Sequence, residues 1–291
     1  MIYELEELLA EGKILILISG QSIANILQRV IQFIDKKLLK GVLVGHCNGS
    51  ELYGFDSSGE LIQEPYFSIL DDYKGEFNHK KWRCVVNCIM EEYGIKPLPF
   101  MDIDEFKRKT GGDPRFVMYD DRKVQISIDF VNGLSLKDFP TGSDIYALNE
   151  NIDDIRIPII RKAKLLFQKE CLQIEPHSSG AFAIDFNIKG VTKGLLLSRI
   201  FAGDEQYRKK VLKEVIVSNH NEIEVWGDSF SVSSDGSDQY MSTALPKESR
   251  SISFRKISPE DLLKDYNIVV WNGVHSCHEG LLEYLKTRKV R

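Results

Sequence analysis

Apolar residues at Ile2, Leu5, Leu8 and Leu9 keep helical spacing, and Gly12 suits the position after a helix end. The pattern predicts a helix over 2–11. The unbroken run at 14–18 (Ile, Leu, Ile, Leu, Ile) reads as a strand buried on both faces. A turn at Ser19, Gly20, Gln21 and Ser22 leads into a helix to about residue 37, striped by Ile23, Ile26, Leu27, Val30, Ile31 and Ile34. Residues 41–44 form the next strand, so the chain opens on a β-α-β unit. Asn48-Gly49 between the strand-like runs 42–46 and 51–56 predicts a hairpin, which makes the sheet mixed.

Residues 79–93 place Trp82, Val85, Val86, Ile89, Met90 and Tyr93 on one helical face. Pro97, Pro99, Gly111, Gly112 and Pro114 then mark 96–115 as a linker. Beyond it, strict alternation at 123–131 and 181–188 argues for sheets with one wet face. Helices are expected at 158–172 and 204–213, and a hairpin at 215–218 with 222–226. The Ser-, Asp- and Gly-rich stretch 229–251 reads as a mobile surface loop. A strand at 251–257, a short helix opened by Ser258-Pro259 and a strand at 267–271 follow. A helix capped by Ser276 and Glu279 ends the chain. The expected fold is α+β with a mixed sheet. An N-terminal α/β portion (1–95) precedes a larger, mostly antiparallel portion (116–291) closed by a β-α unit, and the two can pack as one.

Composition narrows the function classes. The 291 residues are 43% hydrophobic and 28% charged, ordinary for one or two globular domains. A net charge of −5 counts against a dedicated nucleic-acid binder. The first residues are acidic and the longest early apolar run is far short of the ~20 residues that span a bilayer. Five scattered cysteines do not make a disulfide framework. These features point to a cytoplasmic protein.

Candidate chemistry gathers in three places. His275-Ser276-Cys277-His278 puts Cys277 at the start of a capped helix, where free N–H groups favour a thiolate, with His275 as a base. Cys84 and Cys88 share one side of the 79–93 helix, and with Cys277 and His278 they make a candidate zinc set. Otherwise they are small buried residues, as Cys171 is. The turns at Ser19, Gly20, Gln21 and Ser22 and at Asn272 and Gly273 join strands to helices, the place where phosphates bind. Asp129 and Asp185, with Lys189, would converge if their strands pair, a carboxylate arrangement that also suits a nuclease. No serine-hydrolase elbow, zincin motif or Cys-x-x-Cys is present.

Two functions from different classes follow. The first is a protein-binding or regulatory module, self-associating and acting by contact rather than catalysis, with another protein or itself as partner. The alternative is a hydrolase or transferase acting on a nucleotide-like or phosphorylated ligand through the turns at 19–22 and 272–278. Residues alone leave open whether the chain is an enzyme.

Overall fold

A computed structural model describes the chain apart from residues 140–152, 204, 213–221, 235 and 289–291. The fold is α+β with mixed sheets, as the patterning predicts. The chain divides into two compact units, one joining Met1–Ser68 to Gly190–Arg291 and the other covering Ile69–Lys189.

The first unit begins with α1 (Ile2–Ala10), β1 (Leu15–Ile18), α2 (Ile23–Arg29), β2 (Val42–His46), β3 (Glu51–Tyr53) and β4 (Phe67–Ser68). Ser22 caps α2 by accepting the Asn25 N–H. β1 and β2 are parallel, whereas β2, β3 and β4 are antiparallel. The expected hairpin turn is real: Cys47, Asn48 and Gly49 all have positive φ between β2 and β3. β2 is buried throughout, but β1 is only half-buried, because it forms the outer edge of this four-stranded sheet.

The second unit holds α3 (His79–Glu92), β5 (Lys96–Pro99), α4 (Ile103–Thr110), β6 (Phe116–Asp121), β7 (Gln125–Asp129), α5 (Arg156–Lys169), β8 (Ile174–Ser179) and β9 (Ala183–Ile188). Its sheet runs β5-β6-β7-β9-β8. The expected linker at 96–115 is therefore structured and lies inside this unit, so the chain does not divide there. Pro97 and Pro99 sit in an edge strand, where a missing N–H breaks no ladder. Gly111 ends α4 in the left-handed region. Punctuation that resembles a linker is an edge strand and a helix stop.

The chain then returns to the first unit with α6 (Lys193–Ala202), α7 (Glu205–Leu212), β10 (Glu224–Gly227), α8 (Gln239–Thr243), β11 (Arg250–Ser253), β12 (Ile268–Val270) and α9 (Cys277–Arg288). β10, β11 and β12 are a parallel three-stranded sheet. The first strand of the hairpin expected at 215–226 lies outside the described residues, and β10 pairs in parallel with β11 instead. The stretch 229–251 is not a mobile surface loop: Phe230 is fully buried, and Met241 and Leu245 pack beside it. Its polar residues serve internal turns. Asp238 accepts the N–H groups of Asp228 and Ser229, and Asp261 accepts those of Val232's neighbour Ser233 and the Ser231 hydroxyl.

Candidate functional site at the strand ends of the first unit

β1 and β10 face each other across a crevice of about 1520 Å³. Residues 14–18 line one side and 222–228 the other. Apolar side chains bridge it on both faces of the strands. Leu15 packs against the cluster that holds Ile252, Phe254 and Tyr284, whereas Ile16 and Ile18 pack against the cluster that holds Val225 and Phe230. At the carboxyl end of β10 the lining turns polar, with Lys193, Asp228 and Asp238.

Local structure holds these three in place. Thr192 caps α6 by accepting the Leu195 N–H, which puts Lys193 in the first turn. A cation there opposes the helix dipole. Asp238 offsets that cost, with Oδ1 2.5 Å from Lys193 Nζ, the two side chains being 5% and 15% exposed. Asp238 Oδ2 accepts the backbone N–H groups of Asp228 and Ser229, each at 2.9 Å. Gly227 is needed for this, because a Cβ there would run into the Asp238 carboxylate. Asp228 pairs with Arg255 at 3.0 Å.

The turn at 19–22 belongs to the same edge. Asn48 N–H donates to Ser19 O, Cys47 N–H donates to Gln21 O, and the Asn48 side chain lies against Gly20. Gly49 backs onto Thr192 O and Leu196 at the start of α6. The chain of contacts thus runs from Ser19 and Gly20 through Asn48 and Gly49 to Lys193 and Asp238. Ser22 and Gln21 spend their side chains locally, on the Asn25 N–H and the Asn25 amide. The positive charge at this edge is that of Lys193; the turn at 19–22 carries none.

The second predicted turn is closed from within. Glu283 accepts the N–H groups of Val274 and His275 and the Trp271 indole N–H, at 3.1–3.3 Å. These bonds hold its carboxyl below the usual range, the His275 backbone bond most of all. A Cβ on Gly273 would strike Trp271 and Glu283. A carboxylate of the protein occupies the place where Asn272 and Gly273 were expected to receive a phosphate. His275 turns to Glu279 at 3.6 Å, and Cys277 spends its N–H on Phe254 O. Among the described residues no hydrogen bond joins His275 to Cys277.

The predicted zinc set is spread between the units. Cys84 and Cys88 are exposed on α3 of the second unit rather than buried, whereas Cys277 and His278 lie in the first. Cys171, expected in the core, is exposed in the left-handed position after α5. Among the described residues no three His, Cys, Asp or Glu side chains gather to hold a metal.

Two polar networks escaped the sequence reading. In the first unit, buried His46 meets Cys47 Sγ at 3.1 Å through Nδ1 and Glu51 at 2.9 Å through Nε2. Ser68 Oγ donates to the other oxygen of Glu51 at 3.0 Å. In the second unit, β7 and β9 do pair, so Asp129 and Asp185 do converge. Ser127 Oγ lies 2.7 Å from Asp185 and 3.3 Å from Asp129. The face that carries them is not wet: Gln125, Ser127, Asp185 and Asn187 are all buried. Burial pushes the Asp129 carboxyl up to about 6; Arg122 opposes this and Asp185 reinforces it. Lys193, Asp228 and Asp238 were missed as well. The signal available for them was a lysine placed just after a helix cap, and a Gly-Asp pair ending an apolar strand.

No family model matches the chain. No curated protein matches it. Solved structures do. A haloacid dehalogenase-like hydrolase from Bacteroides thetaiotaomicron matches over 99% of this chain and 91% of its own, at 13% identity and a TM-score of 0.52. The sucrose-phosphatase of Synechocystis, solved with sucrose and phosphate, matches over 99% and 92%, at 15% identity and a TM-score of 0.50. The IMP-nucleotidase of Plasmodium falciparum matches 82% of this chain at 12% identity and a TM-score of 0.41, and the chain spans only 48% of its length. At these identities the likeness is one of fold. It overturns the expectation of a self-associating, protein-binding or regulatory module that acts by contact, since the whole chain takes a fold carried by hydrolases. Among the described residues no helix is long and apolar enough to cross a membrane.

Proposed function

We propose that this protein acts on a small phosphorylated ligand, as a hydrolase or transferase, at the carboxyl edge of β1, β2 and β10. One observation carries the reading: Lys193, nearly buried, is held by Asp238 in the lining of the crevice, and its neighbour Thr192 backs onto Gly49, whose neighbour Asn48 bonds to the turn at 19–22. An ammonium has three N–H donors, and Asp238 accepts from one of them, which leaves Lys193 donors for an anion. A phosphate arriving there takes a charge-assisted bond from Lys193. The apolar crevice walls are suited to the rest of the ligand. Asp238 orients Lys193, and Asp228, paired with Arg255, borders the same opening. The fold shared with a hydrolase and a sucrose-phosphatase supports this class of ligand.

The test is a panel of sugar phosphates and nucleoside monophosphates, scored for binding by calorimetry and for release of inorganic phosphate. The reading expects at least one compound to bind, and Lys193→Met to weaken that binding about tenfold or more without unfolding the protein. If no phosphorylated compound binds, or if Lys193→Met binds as well as the wild type, the reading is wrong.

A further inference from the structure

Enzymes that transfer phosphoryl groups commonly bring a divalent cation to the phosphate oxygens. Such a hard cation asks for about six oxygen ligands, carboxylates prominent among them. The donor set of this edge does not meet that demand. The turn at 19–22 is Ser, Gly, Gln and Ser, with no carboxylate. Gln21 already engages Asn25, and Ser22 caps α2. Both oxygens of Asp238 are taken, Oδ1 by Lys193 and Oδ2 by two backbone N–H groups. One oxygen of Asp228 is held by Arg255. Of the Asp228 and Asp238 oxygens only Asp228 Oδ1 is left to a cation; reaching any other would displace an ammonium, a guanidinium or two backbone N–H groups from its partner.

We infer that this edge carries no divalent cation of its own, and that it takes the phosphate group as a free anion, with Lys193 as the charge it meets. The inference rests on the proposed function for its ligand but not for its statement about the metal.

The experiment is a titration of the full-length protein with Mn²⁺, followed by electron paramagnetic resonance of the free ion. The expected result is no loss of the free-ion signal as protein is added. Stoichiometric loss of that signal, reversed by Mg²⁺ and absent in Asp228→Asn, would overturn the inference. A second reading uses inorganic phosphate, followed by ³¹P line width, in EDTA and in excess Mg²⁺. Equal affinity in the two buffers supports the inference, and tighter binding with Mg²⁺ overturns it. If phosphate does not bind in either buffer, the proposed function is weakened while the Mn²⁺ titration still decides the metal question.

Discussion

Asp238 is shared between Lys193 and the backbone of β10's carboxyl end: one oxygen lies 2.5 Å from the ammonium, and the other accepts the N–H groups of Asp228 and Ser229. One carboxylate, 45 residues along the chain from Lys193, therefore locks α6 to the end of β10.

That lock predicts an asymmetry between its two partners. Lys193→Met leaves Asp238 with its two backbone donors, so it should cost less stability than Asp238→Ala, which strands an almost buried ammonium. Breaking a buried pair that way costs about 3–5 kcal/mol. Urea unfolding of the two variants checks the order, and equal losses would contradict it. Phosphate affinity should fall about tenfold or more in Lys193→Met, the worth of one hydrogen bond to a charged group.

Gly194 follows Lys193, and a Cβ there would run into the backbone carbonyl of Tyr240 in α8. Backbone cannot swing aside as a side chain can. Gly194→Ala should therefore destabilise by about 1–3 kcal/mol despite the gain in helix propensity. A raised melting temperature in that variant would show that α6 and α8 are not packed this closely.

Glu224 joins β10 to α9. It accepts the Tyr284 hydroxyl at 2.7 Å, the Trp226 indole N–H at 2.7 Å and a bond from Arg288 at 3.1 Å. Burial, followed by the hydrogen bond to Glu224, pushes the Tyr284 hydroxyl up to about 12. Glu224→Ala strands the Tyr284 hydroxyl and should cost about 1–3 kcal/mol. Its tyrosine absorbance titration should shift to lower pH. An unchanged titration would remove Glu224 from that role.

Asp129 sets a pH dependence in the second unit. Its carboxyl is raised to about 6, so the folded protein binds this proton more tightly than the unfolded chain. The resulting stabilisation is complete below the unfolded value, ~4, and is lost as pH rises through about 6. Asp129→Asn stays neutral at every pH. Its stability relative to the wild type should improve by on the order of 2 kcal/mol between about pH 4 and pH 7. Heat unfolding at the two pH values measures this; a difference that does not change with pH would refute it.

Period-two alternation in β7 and β9 was legible, because one face of each strand carries apolar residues. What covers the other face was not legible, and Gln125, Asp185 and Asn187 prove to be buried. The turn at 19–22 was legible from its place between an apolar run and a helical stripe. Its partner was misread, because Glu283 fills the N–H groups beside His275 from eight residues away along α9.

By itself the sequence determined the local elements: helix stripes, strand runs, the hairpin turn at Cys47, Asn48 and Gly49, and the α+β class. These follow from spacing and backbone preference within a few residues, which a pattern records directly. Tertiary structure decided the rest. It joined residues 1–68 to 190–291 in one unit, set β1 opposite β10, and delivered Lys193 to Asp238. Those choices depend on which apolar faces and charges meet after long loops close, and loop closure varies so slowly with length that sequence separation alone cannot select the partner.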